Sequence, residues 1–356
     1  MKILHSADWH LDAPMAGRTE QQARYLRQEL RKIPEKIADL AKQEGCDLML
    51  LSGDLFDGPY STESLQAVKT ALKEVQIPVF ISPGNHDFVG AASPWLTEVW
   101  PENVHIFTSR TVESVVIRSL SCRVYGAAFT AMEDSGLLEA FHICGNEKFH
   151  LGVFHGDPTI AGSPYGAITA EQVKNSGLTY LALGHIHKGG SFRAGDTLCA
   201  WPGCPMGRGF DELDKKGVNI VTLEDSCSVR FLPLDTPRFY DWELDAGEDA
   251  AATIASHLPG AASQDFYRIT LTGESEPIDC DALQVQFSKF PNLLLRDRTV
   301  PPIDLWASLG EDTLEGAYFG MLKQAMEGAD EDTCRKIALA ARISRQLLDG
   351  REVKLP

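Results

Sequence analysis

Five short runs of apolar residues, all before residue 190, each end in a cluster of polar side chains. Runs this short and dense are typical of strands that are buried on both faces of a sheet. The polar residues that follow them are mainly histidines and aspartates. The pairs of run and cluster are Ile3-Leu4 with Asp8 and His10, Leu48–Leu51 with Asp54, Val79–Ile81 with Asn85, His86 and Asp87, residues 151–154 with His155, and residues 180–183 with His185 and His187.

Helical periodicity fills several of the gaps between these runs. Apolar residues from Leu26 to Leu40 predict one helix, which Pro34 should kink or restart, and those from Leu65 to Val75 predict another. Strands that alternate with helices predict an α/β fold with a largely parallel core. In such folds, functional sites lie beyond the carboxyl ends of the strands, which is where all five polar clusters fall.

The pattern changes near residue 235, where Pro233 and Pro237 predict a domain boundary. Residues 236–300 then follow as strand, helix, strand, helix and strand, which predicts a small α+β domain. Residues 301–356 carry apolar positions at helical spacing and predict two C-terminal helices.

Composition argues against disordered and membrane-spanning proteins. The chain has 356 residues, a net charge of −17 and eight cysteines without a CxxC pair. Its apolar content argues against disorder, and no apolar run approaches the ~20 residues that a membrane span needs. An acidic protein does not bind nucleic acid through its overall field, so such a contact must be local. Scattered cysteines and an N-terminus without a secretory signal predict a cytoplasmic protein.

The polar clusters together supply two aspartates, one asparagine and four histidines as candidate metal ligands. Buried polar groups in such number require a compensating partner, and a metal centre is one. Mixed carboxylate, amide and imidazole ligands suit Mn²⁺ or Fe²⁺, with Zn²⁺ or Mg²⁺ as alternatives. These ligands are too many for one ion once water is counted, whereas two ions that share a carboxylate fit the number. The candidate ligands are Asp8, His10, Asp54, Asn85, His155, His185 and His187.

A pair of divalent metals suits displacement at phosphorus, because together they activate water and hold both ends of the reacting group. The leaving oxygen then needs an acid. His86 directly follows Asn85 and could reach over a bound phosphate, so we expect it to be that acid. Its neighbour Asp87 could fix the tautomer of His86.

These residues resemble the motif series of the calcineurin-like metallophosphoesterases over residues 1 to about 235. The series consists of Asp8-Trp9-His10, Gly53-Asp54, Gly84-Asn85-His86-Asp87, His155 and Gly184-His185-Ile186-His187. Residues 3–11, 53–56 and 201–208 are further similar to the SbcD-type branch of DNA repair exonucleases.

The resemblance implies a central sandwich of mixed β-sheets flanked by helices, with residues 1–235 as the nuclease domain. It implies a capping domain over residues 236–300 and a C-terminal helical region, residues 301–356, that docks on an SbcC-like SMC-type ATPase. It also implies a DNA substrate, Mn²⁺ as the metal and a homodimer. By the same resemblance, Asp8, His10 and His187 bind one metal, Asn85, His155 and His185 bind the other, Asp54 bridges them, and His86 assists the leaving group.

Two residues depart from the SbcD pattern. The nuclease branch usually has a histidine where this chain has Asp57, and the closest SbcD pattern has glycine where it has Asp12. The second departure is similar to the YhaO-type branch. A carboxylate at 57 would repel phosphate or tune a neighbour, so we expect Asp57→His to raise DNA cleavage. Arg208 could contact phosphate or pair with a nearby acidic residue.

Three functions follow from these observations. The first is a metal-dependent DNA exonuclease subunit that uses metal-activated water. The second, favoured by Asp57 and the acidic charge, is a phosphoesterase for a small substrate such as a cyclic nucleotide or phosphomonoester. The third is a scaffolding subunit of an ATPase complex with weak chemistry.

Overall fold

Two six-stranded β-sheets carry the core of the protein. The computed structural model describes residues 1–350. The strands of these sheets are β1 (Lys2–Ser6), β2 (Leu48–Leu51), β3 (Val79–Ile81), β4 (Val104–Ile106), β5 (Glu113–Ile117), β6 (Cys122–Gly126), β7 (Phe149–His155), β8 (Tyr180–Gly184), β9 (Lys188–Ala194), β10 (Thr197–Gly203), β11 (Gly217–Leu223) and β12 (Cys227–Pro233). The first sheet has the order β12-β11-β1-β2-β3-β4, and the second has the order β5-β6-β7-β8-β10-β9.

Both sheets are mixed. Strands β1 to β4 are parallel, as are β6, β7, β8 and β10. Antiparallel strands complete each sheet, namely β11 and β12 in the first and β5 and β9 in the second. The predicted α/β fold with mixed sheets is confirmed. Because parallel strands end at the same edge of a sheet, the polar clusters that follow them share that edge.

Successive residues of the central strands fill the two faces of the first sheet. Leu50 belongs to an apolar cluster that also contains Val153 of the second sheet, so the two sheets pack face to face. Leu51, the next residue, belongs to a different cluster that also contains Leu30 and Ile37 of the flanking helices. Since neighbouring strand residues point to opposite faces, a strand buried on both sides must be apolar throughout.

Local sequence sets the ends of the helices that flank the sheets. A capping box formed by Thr19 and Gln22 begins helix α1 (Glu20–Arg31). Pro34 lies in the first turn of helix α2 (Ile33–Glu44). The predicted restart at this proline is confirmed, with the break at Lys32. Gly45 ends α2 with a φ of 62°, which glycine adopts readily. The helices are α1 (Glu20–Arg31), α2 (Ile33–Glu44), α3 (Thr62–Glu74), α4 (Pro94–Thr97) and α5 (Ala170–Ser176), with a 3₁₀ turn at Arg118–Leu120.

The chain divides into two compact units, and the second is formed by Trp242–Ser263 and the chain from Arg268 onward. Within the described residues it contains four helices and most of a three-stranded sheet. The elements of this part of the chain are β13 (Phe239–Asp245), α6 (Ala250–His257), β14 (Phe266–Thr272), α7 (Cys280–Gln286), β15 (Leu293–Asp297), α8 (Leu314–Met326) and α9 (Glu331–Leu348). The assignment of residues 236–300 as a cap and 301–356 as a docking region stays a prediction, and residues 351–356 lie outside the described part.

Arg345 anchors α9 inside this second unit. Its buried guanidinium donates hydrogen bonds to Ser308 Oγ at 2.9 Å and to Glu315 Oε2 at 3.2 Å. The same group lies 4.2 Å from the centre of the Phe319 ring on α8. A buried charge that is paired and stacked in this way fixes α9 against α8.

No helix within residues 1–350 combines the length and the apolar character that a membrane span requires. All eight cysteines are free thiols.

Asp12 ties together three elements at the edge of the first sheet. Its carboxylate accepts hydrogen bonds from Ser61 N at 2.6 Å, Ser64 Oγ at 2.9 Å and Arg31 Nη2 at 3.1 Å. Partial burial opposes ionisation, but these donors outweigh it and lower the pKa of Asp12 below its ordinary value of 3.8. Asp12 therefore joins the chain after β1 to the end of α1 and the N-cap of α3.

We expect Asp12→Asn to destabilise the first unit by about 1–3 kcal/mol, because buried donors lose an ionised acceptor. A carboxyl with a lowered folded pKa stabilises the protein above its unfolded pKa and loses that effect as the pH falls through its folded pKa. The difference from wild type should therefore shrink between about pH 7 and about pH 3 in urea unfolding.

Asp39→Asn serves as the control, since Asp39 is exposed and pairs only at 3.4 Å with Lys42. We expect this control to change stability by less than about 0.5 kcal/mol. Equal stability of the two variants would contradict the role given to Asp12.

Candidate metal centre

The loops that follow β1, β2 and β8 hold candidate ligands in left-handed backbone conformations. The φ angles are 55° at Asp8, 47° at His10, 53° at Asp54 and 90° at His185. Such angles are uncommon outside glycine and cost free energy, so they persist where the surrounding structure imposes them. These backbone conformations turn the side chains at the ends of β1, β2 and β8 toward the same site.

Backbone hydrogen bonds extend the pairing of β1 and β2 into these loops. Asp8 N donates to Gly53 O at 3.0 Å, and His10 N donates to Asp54 O at 2.9 Å. Gly53 is needed here, because a Cβ at this position would lie 2.6 Å from the ring nitrogen Nδ1 of His155. The ligand-bearing loops are thus locked side by side before any metal binds.

The first cluster consists of Asp8, His10 and His187, whose ligand atoms all lie within 4.8 Å of one another. The Nε2 atoms of His10 and His187 face each other at 3.0 Å. Asp8 Oδ1 accepts a hydrogen bond from His185 N at 2.9 Å, while Asp8 Oδ2 is buried with no hydrogen-bond partner in the described residues. An orphaned carboxylate oxygen beside two imidazole nitrogens is what a bound cation would satisfy.

The second cluster consists of Asn85, His155 and His185. Asn85 Oδ1 lies 2.9 Å from His155 Nε2 and 3.3 Å from His185 Nδ1. His155 Nδ1 donates to the carbonyl of Ser52 at 2.9 Å, which leaves Nε2 as the nitrogen that faces the cluster. A backbone partner on the far nitrogen is the usual way to orient a metal-binding imidazole.

Asp54 lies between the two clusters. Its Oδ2 atom is 3.7 Å from His10 Nε2 in the first cluster and 3.3 Å from His155 Nε2 in the second. Its Oδ1 atom accepts a hydrogen bond from the backbone nitrogen of His86 at 2.9 Å. Asp54 therefore lies between the two clusters, and its role as a shared ligand of two ions stays a prediction.

The charges of this buried centre shift its pKa values. Burial disfavours the ionised form of Asp54, but His155 and His10 outweigh it and hold the pKa of Asp54 well below its usual range. Burial also opposes a charged His155, but Asp54 outweighs it and raises the pKa of His155 to about 9. The site thus favours positive charge at His155, beside the carboxylate of Asp54.

The donor set fits two divalent cations. It offers one carboxylate and two imidazoles on one side, one amide and two imidazoles on the other, and Asp54 between them. Hard and borderline ligands in this mixture suit first-row divalent metals, and cysteine does not contribute. Burial raises the pKa of the nearby Cys204 to about 12.

A family model described as calcineurin-like phosphoesterase matches residues 1–189. The match covers more than half of the 356-residue chain and contains every residue of both clusters. The chain belongs to the calcineurin-like phosphoesterase family. Phosphoesterases of this family use a dinuclear metal centre, which agrees with the paired clusters.

Three relatives place the chain in the SbcD and YhaO branch of the family. The metallophosphoesterase YhaO of Bacillus subtilis is 33% identical over 241 residues, which are 62% of this chain and 57% of YhaO. The SbcD component of the nuclease SbcCD is 25% identical over 263 residues in B. subtilis (62% of this chain, 66% of the relative). The SbcD component of Staphylococcus epidermidis is 23% identical over 337 residues (84% and 86%). The chain spans less than two thirds of both B. subtilis relatives.

Asp57 contacts two histidines of the phosphoesterase centre, His10 and His86. His10 Nδ1 donates to Asp57 Oδ1 at 2.8 Å, and His86 Nδ1 lies 2.9 Å from the same oxygen. The hydrogen bond that His86 donates to Asp57 raises the pKa of His86, although burial opposes this. The two histidines in turn hold the pKa of Asp57 well below its usual range, against the effect of burial. Asp57 therefore tunes its neighbours, one of the two roles that the sequence allowed.

Asp87 has a different place from the predicted one. Its carboxylate accepts hydrogen bonds from the backbone nitrogens of Asp54 at 3.2 Å, Leu55 at 2.7 Å and Gly84 at 2.8 Å. The predicted contact with His86 is wrong, because the side chain of Asp87 turns inward to bind two loops and Asp57 takes the position beside His86. Burial, with the nearby Asp54, raises the pKa of Asp87 to about 7.

Glu212 contacts a candidate ligand, and the sequence analysis did not predict this contact. Its Oε1 atom lies 2.6 Å from His187 Nδ1, which orients the other ring nitrogen toward His10. Arg208 donates to the same oxygen at 2.8 Å, and its Nη2 lies 3.1 Å from His187 Nδ1. Of the two roles open to Arg208, the structure thus shows the ion pair. Glu212 gives no sequence signal because it lies on a loop 25 positions after its partner.

Three further side chains complete the surroundings of the site. His5 is buried between the hydroxyls of Tyr180 at 2.7 Å and Ser52 at 2.8 Å, and burial lowers its pKa to about 3. Trp9 is buried and donates to Ser6 Oγ at 2.8 Å. The ring of Tyr165 lies 5.2 Å from that of His185, between centroids.

We expect Asp57→Asn to lower the metal affinity or the activity of the protein by about 10–100-fold, because an orienting partner of His10 is weakened. Asp57→His removes the same carboxylate, so we expect it to lower phosphodiester hydrolysis as well, whereas the sequence led us to expect a gain in activity. Metal content after desalting and hydrolysis of a chromogenic phosphodiester measure both effects.

Glu147→Gln is the matched control, since Glu147 forms an ion pair at 3.0 Å with Arg123 outside the site. It should retain wild-type metal content. An Asp57→Asn variant with unchanged metal content and unchanged rate would refute the orienting role of Asp57.

Proposed function

We propose that this protein is a metal-dependent phosphodiesterase that cleaves DNA, as a nuclease subunit of the SbcD type. The observation that carries the proposal is the pair of ligand clusters that share Asp54, with His86 directly beside them. The similarity to the SbcD component of the nuclease SbcCD supports DNA as the substrate.

In this proposal, Asp8, His10 and His187 would hold one ion, Asn85, His155 and His185 would hold the other, and Asp54 would be shared between them. Two such ions lower the pKa of a coordinated water and neutralise charge on the phosphoryl oxygens when they are bound. Mn²⁺ is the metal expected from the mixed ligands and the family resemblance, with Fe²⁺, Mg²⁺ and Zn²⁺ as alternatives.

His86 is the proposed acid. Its side chain is 43% exposed, and Nδ1 is held by Asp57 at 2.9 Å, so Nε2 is the ring nitrogen left to face substrate. The hydrogen bond to Asp57 raises the pKa of His86, which favours the doubly protonated ring in which Nε2 carries a proton. When water attacks phosphorus and the bond to the leaving oxygen breaks, transfer of that proton from Nε2 neutralises the leaving group.

A phosphoesterase for a small substrate is the second candidate. The net charge of −17 favours it, because the overall field repels a polyanion. Asp57 supports it less than the sequence suggested, since this carboxylate is paired with two histidines and is not free to repel phosphate.

A digestion panel with Mn²⁺ separates these candidates. We expect the wild type to degrade linear duplex or single-stranded DNA as well as a chromogenic phosphodiester, and His86→Ala to lose about 10²–10⁴-fold in rate on DNA, as removal of a general acid does. Metal content should be retained in His86→Ala, because His86 is not one of the proposed ligands. Turnover of only the chromogenic ester and a cyclic nucleotide would contradict the DNA substrate, and an undiminished rate would contradict the role of His86.

The C-terminal helices are the proposed docking site for an SbcC-like SMC-type ATPase. Helices α8 and α9 line an apolar groove of about 380 Å³ with Leu314, Tyr318, Leu347 and Leu348. The side chains of Leu314 and Leu347 are 89% and 63% exposed in the described structure. An apolar groove between two helices suits an amphipathic helix of a partner. A homodimer and a cytoplasmic location remain part of the proposal.

We expect the double substitution Leu314→Glu and Leu347→Glu to abolish binding of a purified SbcC-type ATPase, because two charges would enter an apolar interface. Isothermal titration calorimetry measures the binding, and hydrolysis of the chromogenic ester should be unchanged. Val285→Glu is the control, since Val285 is 75% exposed but does not line the groove. Equal binding by the double variant and the wild type would exclude this groove as the docking site.

A further inference from the structure

A pocket of about 410 Å³ lies beside the first metal cluster and is lined by basic residues. His187 contributes to its wall and, through Nε2, also to the cluster with Asp8 and His10. Lys188 opens strand β9, and Lys215 and Lys216 precede strand β11, so two separate segments bring three lysines to one place.

These lysines have no carboxylate partner within ion-pair distance in residues 1–350. Lys188 and Lys215 are exposed. Lys216 is buried, and its ammonium group donates a hydrogen bond to the carbonyl oxygen of His187 at 3.2 Å. Asp214 is the one acidic residue among those that line the pocket. Three clustered cations with no carboxylate partner, in a protein of net charge −17, create a local site for an anion.

The chemistry of the wall suits nucleic acid. Phe231 on β12 is 41% exposed at this pocket, where a base could stack on its ring. Lysine ammonium groups bind phosphate as point charges, without the fixed geometry that arginine requires. A pocket that joins cations to an exposed aromatic ring has the two features that bind single-stranded nucleic acid without regard to sequence.

The position of the pocket limits the kinds of substrate that could bind in it. One phosphate of the substrate must lie at the metal clusters, and a second anion site beside His187 is of use only to a substrate with more than one phosphate. A cyclic nucleotide or phosphomonoester has none to place there. We propose that this pocket binds the backbone of the DNA strand next to the phosphate that is cut, an inference that rests on the proposed function.

The double substitution Lys188→Gln and Lys215→Gln tests the pocket. Lys216 is left intact because its side chain holds the backbone of a metal ligand. Lys188→Arg with Lys215→Arg preserves the charge, and Lys148→Gln with Lys174→Gln removes two exposed lysines of the same unit outside the pocket. All variants are compared with the full-length wild type.

We expect the KM for a single-stranded oligonucleotide to rise by about fivefold to tenfold in the glutamine variant, as two phosphate contacts are lost. The arginine variant and the outside pair should stay near wild type. Fluorescence anisotropy of the labelled oligonucleotide in chelator should show a salt slope lower by about 1.4, at ~0.7 for each contact with a single strand. The kcat on the chromogenic phosphodiester should not change, because neither lysine is part of the catalytic machinery.

Two failures are distinguishable. If the wild type cleaves DNA and the glutamine variant matches the outside pair in KM and salt slope, the pocket inference is overturned while the proposed function stands. If the wild type hydrolyses the chromogenic ester but no DNA, the proposed function is overturned without reference to any variant. Competition by inorganic phosphate that removes all oligonucleotide binding would assign the pocket to free phosphate and would also overturn the inference.

Discussion

Asp54 carries a carboxylate that is 1% exposed and lies within 4 Å of imidazole nitrogens from two different sheets. A buried charge of this kind is costly unless positive charge compensates it. Burial lowers the pKa of His10, so His155, whose pKa is raised, is the imidazole that can supply the charge, and a protonated Nε2 cannot bind a metal. The surrounding fold is therefore organised for a stronger partner than a proton, and the orphaned oxygen of Asp8 on the same edge points to the same conclusion.

The packing of the two sheets supports this arrangement. Central strands buried on both faces hold the loop that follows β1 against the loop that follows β2, and backbone hydrogen bonds continue between them beyond the strands. Left-handed conformations at Asp8, His10 and Asp54 are a cost that this packing supports. The site is thus preorganised by main-chain geometry, and Asp57 and Glu212 then fix individual imidazole rings through their second nitrogens.

The sequence predicted those parts of the structure that depend on local pattern. The strands, the helix restart at Pro34 and the grouping of the candidate ligands follow from apolar runs, proline chemistry and the common edge of parallel strands. Side-chain pairing between loops did not follow. Asp57 and Asp87 flank the same site, and only the turn of each loop decides that Asp57 faces His86 while Asp87 turns inward.

Long-range partners were hidden for a similar reason. Glu212 and Lys216 lie on a loop before β11 that has neither periodicity nor a motif, and the fold alone brings them to His187. The basic pocket was likewise not predicted, because the net charge of the chain does not show which lysines lie close together in the fold.

Anomalous diffraction from crystals grown with Mn²⁺ tests the central claim most directly. The account predicts two peaks, one among Asp8, His10 and His187 and one among Asn85, His155 and His185, with the carboxylate of Asp54 in contact with both. A single peak, or two peaks that do not share Asp54, would contradict a dinuclear centre built around this residue.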